Sequence, residues 1–153
     1  MMYQDVIADF AQRTWENLRA IEVMKEQGFE VFETTQLINS MLGLLVFPRE
    51  EFMGRIPETP LSQLKEEGWP VPKTREGFEP APNLKVLVRY LRNAISHYNI
   101  KFIGDGCNEV RTIQVWNNRP LSNKKTWEAE LGINELRGIA ERFTALLLKD
   151  SNK

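Results

Sequence analysis

The stretch Leu84-Lys85-Val86-Leu87-Val88-Arg89-Tyr90-Leu91-Arg92-Asn93-Ala94-Ile95-Ser96-His97 separates into two faces when wound at roughly 100° per residue. Leu84, Leu87, Val88, Leu91, Ala94 and Ile95 share one arc of about 120°, which faces a core. Lys85, Arg89, Arg92, Asn93, Ser96 and His97 gather on an opposing arc of about 140°. That second arc holds three cations, an amide, a hydroxyl and the only histidine of the chain, with no carboxylate among them. An ordinary solvent-facing helix mixes both signs. A face of one sign makes a poor salt-bridge surface and a good phosphate-binding one.

The residue types on this face suit one chemistry in particular. RNA can be cut by its own 2′-hydroxyl attacking the adjacent phosphorus. The reaction needs a proton taken from that oxygen, a proton given to the leaving 5′-oxygen, and a counter-charge for the phosphoryl oxygens. An imidazole passes protons at neutral pH, an effect worth about 10²–10⁴-fold, and His97 would supply it. Arg92, five residues earlier, is a permanent cation able to stabilise the developing charge. Asn93, one helical turn before His97, is placed to hydrogen-bond the imidazole or a phosphate oxygen. Lys85 and Arg89, with the Ser96 hydroxyl, would position the RNA backbone. One helix offers one histidine for two proton transfers, so a two-fold dimer that merges two such faces is expected. The competing reading has His97 capping the helix C-terminus, where the helix dipole favours it, and Arg92 paired with a carboxylate elsewhere.

Working outward from this helix, apolar periodicity predicts a long helix from about Tyr3 to Gln27, stopped by Gly28. A second, strongly apolar helix is expected from about Phe29 to Phe47, ended by Pro48. Residues 48–82 contain Pro48, Pro57, Pro60, Pro70, Pro72, Pro80 and Pro82, and only a short helix near Leu61–Glu67 is expected in this long connection. It either covers the site or binds a partner, or it is an exposed crossover between helical pairs. After the third long helix, which spans Pro82 or Asn83 to Tyr98, come three short strands at Asn99–Gly104, Val110–Trp116 and Thr126–Leu131. Asp105-Gly106 and Asn117-Asn118 carry turn chemistry. A last helix is expected from Asn134, as N-cap, to Lys149. The expected fold class is therefore mainly α: an up-and-down four-helix bundle with a small β-meander inserted before the last helix. Residues 1–153 are expected to form a single domain.

Composition sets the remaining bounds. The 153 residues are 42% hydrophobic and 27% charged, enough apolar content for one sizeable core. The net charge is −1, so any hold on nucleic acid comes from a local patch. Cys107 is the only cysteine, which excludes an intramolecular disulfide and fits a reducing cytoplasm. It stands in Gly104-Asp105-Gly106-Cys107-Asn108-Glu109, a turn-like run with no base beside it. One histidine and one cysteine do not build a typical zinc site, so no metal is expected. Gly104-x-Gly106 lies in a hairpin turn, which excludes a phosphate-binding glycine loop. No apolar run reaches membrane-spanning length, and Asp5 stands where a signal peptide would be positive.

Arg92-Asn93-x-x-x-His97, within Leu91-Arg92-Asn93-Ala94-Ile95-Ser96-His97, resembles the signature of the HEPN superfamily (higher eukaryotes and prokaryotes nucleotide-binding). The motif and the hairpin after it are most similar to small stand-alone bacterial members. The resemblance implies an α-helical bundle that dimerises with its motifs facing each other. It implies a metal-independent endoribonuclease that leaves 2′,3′-cyclic phosphate ends, with Arg92 and His97 as the catalytic pair and Asn93 as supporting residue. No cofactor is implied. The implied partners are single-stranded RNA, a second copy of the chain, and an antitoxin or defence partner in a toxin–antitoxin, phage-defence or stress-response setting. Some toxin members carry a tyrosine two residues after the histidine, where a partner enzyme modifies it; here Asn99 stands there and Tyr98 comes one residue early. Many members bind nucleotides or RNA without cutting. A non-catalytic binding module therefore remains the alternative, followed by an interaction scaffold using the second helix and the proline-rich segment.

Overall fold

A computed structural model describes residues 6–46, 50–106 and 109–150. Over these, the element order is α1 (Val6–Glu26), α2 (Glu33–Val46), α3 (Glu50–Arg55), α4 (Leu61–Glu66), β1 (Lys73–Thr74), α5 (Leu84–Ser96), β2 (Ile100–Gly104), β3 (Val110–Asn118), β4 (Lys125–Gly132) and α6 (Ile133–Asp150). They fall into two compact units, residues 1–48 with 139–153 and residues 49–138. The expectations for the N-terminal segment, Pro48 and Cys107 lie outside the described residues.

The first unit holds the α1–α2 pair. Gly28, at φ 85°, ends α1, with its N–H on the Lys25 carbonyl at 3.0 Å and the Phe29 N–H on that of Met24 at 3.0 Å. This left-handed stop favours glycine. The second helix begins four residues later than its apolar run suggests, and Phe29 and Phe32 are exposed. Leu37, Met41, Leu44 and Leu45 are buried. Gly43 lets the Phe10 ring approach α2, for a Cβ there would lie 3.0 Å from Phe10 Cε1.

The second unit contains the antiparallel sheet, in the order β1-β4-β3-β2. The three expected strands are present, but Asn117-Asn118 belongs to β3 and makes no turn. Asn117 is buried, and its Nδ2 donates to the Tyr90 carbonyl at 3.0 Å, tying β3 to α5. Tyr90 also meets the Trp127 ring of β4, with centroids 4.9 Å apart. In β4, Trp127, Ala129 and Leu131 are buried on one face. On the other, Glu128 is buried as well.

This architecture corrects the expected four-helix bundle. Among the described residues there are six helices and a four-stranded sheet. The sheet is part of the core: Ile113, Val115, Trp127, Ala129 and Leu131 are buried, and β3 packs on α5. An amphipathic stripe shows that a helix buries one face. It leaves open whether a helix or a sheet covers that face. The segment 48–82 is also more ordered than one short helix, since it contributes α3, α4 and the edge strand β1. β1 has two residues, paired Lys73 with Glu130 and Thr74 with Ala129. Pairing with β4 defines it, and two residues offer no periodicity to read. α6 starts at Ile133, one residue before the expected cap, and the Glu135 carboxylate accepts from the Gly132 N–H at 2.7 Å.

Candidate functional site

The site helix, α5, is set by local chemistry at both ends. At its start Asn83 adopts an extended conformation and its Oδ1 accepts from the Val86 N–H at 3.0 Å. The Leu84 N–H donates to the Thr59 carbonyl at 2.9 Å, and Pro60 bridges to Asn83. The segment after α3 is thereby clipped to the start of α5. At the other end His97 is the C-cap residue and Tyr98 has φ 57°. The Asn99 N–H reaches the Ala94 carbonyl at 2.8 Å and the Tyr98 N–H that of Ile95 at 3.2 Å. These are the two bonds of a Schellman stop, made here with tyrosine in the position that favours glycine.

All six residues assigned to the apolar face, Leu84, Leu87, Val88, Leu91, Ala94 and Ile95, are buried. Of the polar face, Lys85, Arg92 and Asn93 are half-buried, while Arg89, Ser96 and His97 are exposed. Lys85, Arg89, Arg92 and Asn93 line one depression of about 390 Å³, together with Met53 and Gly54 of α3. Four of the six expected site residues thus converge on one place. Ser96 and His97 continue the same helix toward its C-terminus. The Ser96 hydroxyl turns back to donate to the Arg92 carbonyl at 2.7 Å, so its proton is committed to the helix backbone.

Three contributors, Met53, Gly54 and Glu58, were not foreseen. Phe52, Met53 and Ile56 are buried and anchor the short α3, leaving Gly54 exposed at the depression. Glu58, in the clipped segment, places Oε1 3.3 Å from Lys85 Nζ. The face is acid-free along its own helix, but a carboxylate reaches it from elsewhere in the chain. None of the three carries a periodic or motif signal, because each is brought to α5 by a tertiary contact.

The same unit holds a second charged cluster. The Glu128 side chain is only 4% exposed, and its Oε1 accepts from Arg75 Nη1 at 3.0 Å, from Lys125 Nζ at 2.8 Å and from Gln114 Nε2. Burial pushes this carboxyl upward, but hydrogen bonds and charge from Lys125 and Arg75 outweigh it and hold the group below its ordinary range. Lys125 Nζ also lies 4.7 Å from the Trp116 ring centre. With three donors converging on it, Glu128 ties β3 and β4 to the segment that follows β1.

A HEPN family model, described as HEPN pEK499 p136, matches residues 1–153. The chain belongs to the HEPN pEK499 p136 family. No curated protein and no solved structure matches it. No helix among the described residues is long and apolar enough to cross a membrane.

Proposed function

We propose that this protein is a metal-independent endoribonuclease that acts as a homodimer, with residues 1–153 working as a single HEPN domain. The observation that carries the reading is the convergence of Lys85, Arg89, Arg92 and Asn93 on one depression, with the exposed His97 imidazole one turn beyond Asn93 on the same helix. In this mechanism the cations hold the phosphate. His97 of one subunit takes the proton from the 2′-hydroxyl as that oxygen bonds to phosphorus. The bond to the 5′-oxygen breaks, and the partner's copy of His97 returns a proton to the leaving oxygen. The products are a 2′,3′-cyclic phosphate and a 5′-hydroxyl. Arg92 from both subunits balances the charge gathering on the phosphoryl oxygens, and Asn93 orients imidazole or phosphate. The setting this suits is a cytoplasmic toxin, phage-defence or stress-response protein restrained by a partner.

The test is cleavage of single-stranded RNA in EDTA by the parent protein and by Arg92→Ala and His97→Ala, with analysis of the product ends. Activity that resists EDTA, leaves cyclic phosphate and vanishes in both folded variants supports the proposal. Cleavage that persists in His97→Ala ends it. A second reading, RNA binding without chemistry, is favoured by the position of His97 outside the depression. Salt-sensitive binding with no cleaved product would select it.

A further inference from the structure

We infer that the depression between α3 and α5 is a seat for one nucleotide unit of the RNA, with its phosphate on Lys85, Arg89 and Arg92 and its base against Met53 in the space left by Gly54. The inference rests on the reading of α5 as an RNA-binding face and adds α3 to it.

Size, lining and backbone each support it. About 390 Å³ lies at the small end of ligand pockets, which run from about 300 to 1,000 Å³. That suits a single nucleotide. The lining divides as a nucleotide does. Three cations and the Asn93 amide stand on the α5 side, and the Met53 thioether stands on the α3 side. A thioether makes favourable contacts with aromatic rings, and an amide can both donate to and accept from a base edge or a ribose hydroxyl.

Gly54 is the sharpest indication. A Cβ built there meets nothing within 4 Å, so no neighbour requires glycine. Its backbone is ordinary α3 helix, so no unusual conformation requires it either. Glycine costs a helix about 1 kcal/mol relative to alanine. Gly54 lines the depression, and a side chain there would start in open space. Glu58 fits the same picture: its carboxylate lies 3.3 Å from the Lys85 ammonium, a place that a phosphate can take over.

The experiment measures affinity for a short fluorescent single-stranded RNA in the parent, Gly54→Ala, Gly54→Trp and Gly54→Glu. Adenosine 5′-monophosphate and inorganic phosphate serve as competitors, and circular dichroism and thermal melting check the fold. Tryptophan fills the space and glutamate opposes the phosphate, so each should weaken binding by about tenfold or more. Alanine intrudes by one methyl group only, so it should weaken binding less than tryptophan does and melt no lower. Glutamate favours helices and the position is exposed, so that variant tests the site even if the tryptophan one fails to fold. The monophosphate should displace RNA at lower concentration than phosphate does. Parental affinity in folded Gly54→Glu, or equal competition by phosphate and monophosphate, overturns the inference. If Gly54→Glu binds as the parent does while His97→Ala still abolishes cleavage, the subsite falls and the nuclease stands. If His97→Ala cleaves while Gly54→Glu loses binding, the reverse holds. A parent protein that binds no RNA overturns both.

Discussion

Glu58 Oε1 stands 3.3 Å from Lys85 Nζ, across a separation of 27 residues, and the clip between Thr59 and Leu84 keeps the two side by side. An exposed pair of this kind contributes about 0–1 kcal/mol. Releasing Lys85 should therefore raise RNA affinity by at most about fivefold. We expect Glu58→Gln to bind single-stranded RNA about two- to fivefold more tightly at low salt, with the advantage shrinking as salt screens the charges. Fluorescence anisotropy across a salt series measures this. Unchanged affinity at low salt would show that the carboxylate does not compete.

Glu128 should make stability pH-dependent on the acid side. Its carboxyl is held below the ordinary range in the folded chain by Lys125 and Arg75, against the opposing effect of burial. The folded state thus favours the charged form. The stabilisation is complete above the unfolded value of about 4.3 and is lost as pH falls below it. Glu128→Gln should be less stable than the parent at neutral pH, and the gap should close as the pH is lowered through the acid range. Urea melts at a series of pH values test this; a gap that widens on acidification contradicts it.

Tyr98 occupies a left-handed position, φ 57°, and is 85% exposed. Side chains other than glycine pay about 1–2 kcal/mol there, and so exposed a ring loses little packing when removed. Tyr98→Gly should stabilise the fold by about 0.5–1 kcal/mol after the added freedom of the unfolded chain is counted. The reading is a higher urea midpoint with unchanged slope.

Asn117 joins sheet to helix through its 3.0 Å bond to the Tyr90 carbonyl. Asn117→Ala removes a buried hydrogen bond and opens space beside Tyr90 and Trp127. We expect a loss of about 1–3 kcal/mol in urea unfolding, with the far-ultraviolet spectrum nearly unchanged.

Much of this molecule could be read along the chain. The α5 stripe, the alternation of Trp127, Ala129 and Leu131, and the left-handed stop at Gly28 are local features, set by periods of 3.6 and 2 and by one residue's backbone freedom. The basic run on α5 was legible for the same reason, since four of its members are neighbours on one helix face. Misreadings occurred where partners come from afar. Asn117-Asn118 has turn composition, yet continued pairing with β4 keeps it in a strand. Glu128 alternates like a solvent residue but lies buried under Arg75, Gln114 and Lys125.

The sequence by itself determined which residues of α5 are buried and which carry charge, because helical spacing alone assigns the faces. Only the tertiary structure decided that a sheet covers the buried face. It also decided that Met53 and Gly54 complete the charged one and that Glu58 meets Lys85. These depend on segments tens of residues apart being brought together by burial of Phe52, Met53 and Ile56 and by backbone bonds from Thr59 to Leu84. Such contacts leave no period in the chain, for their partners are chosen by packing in space and not by spacing along the backbone.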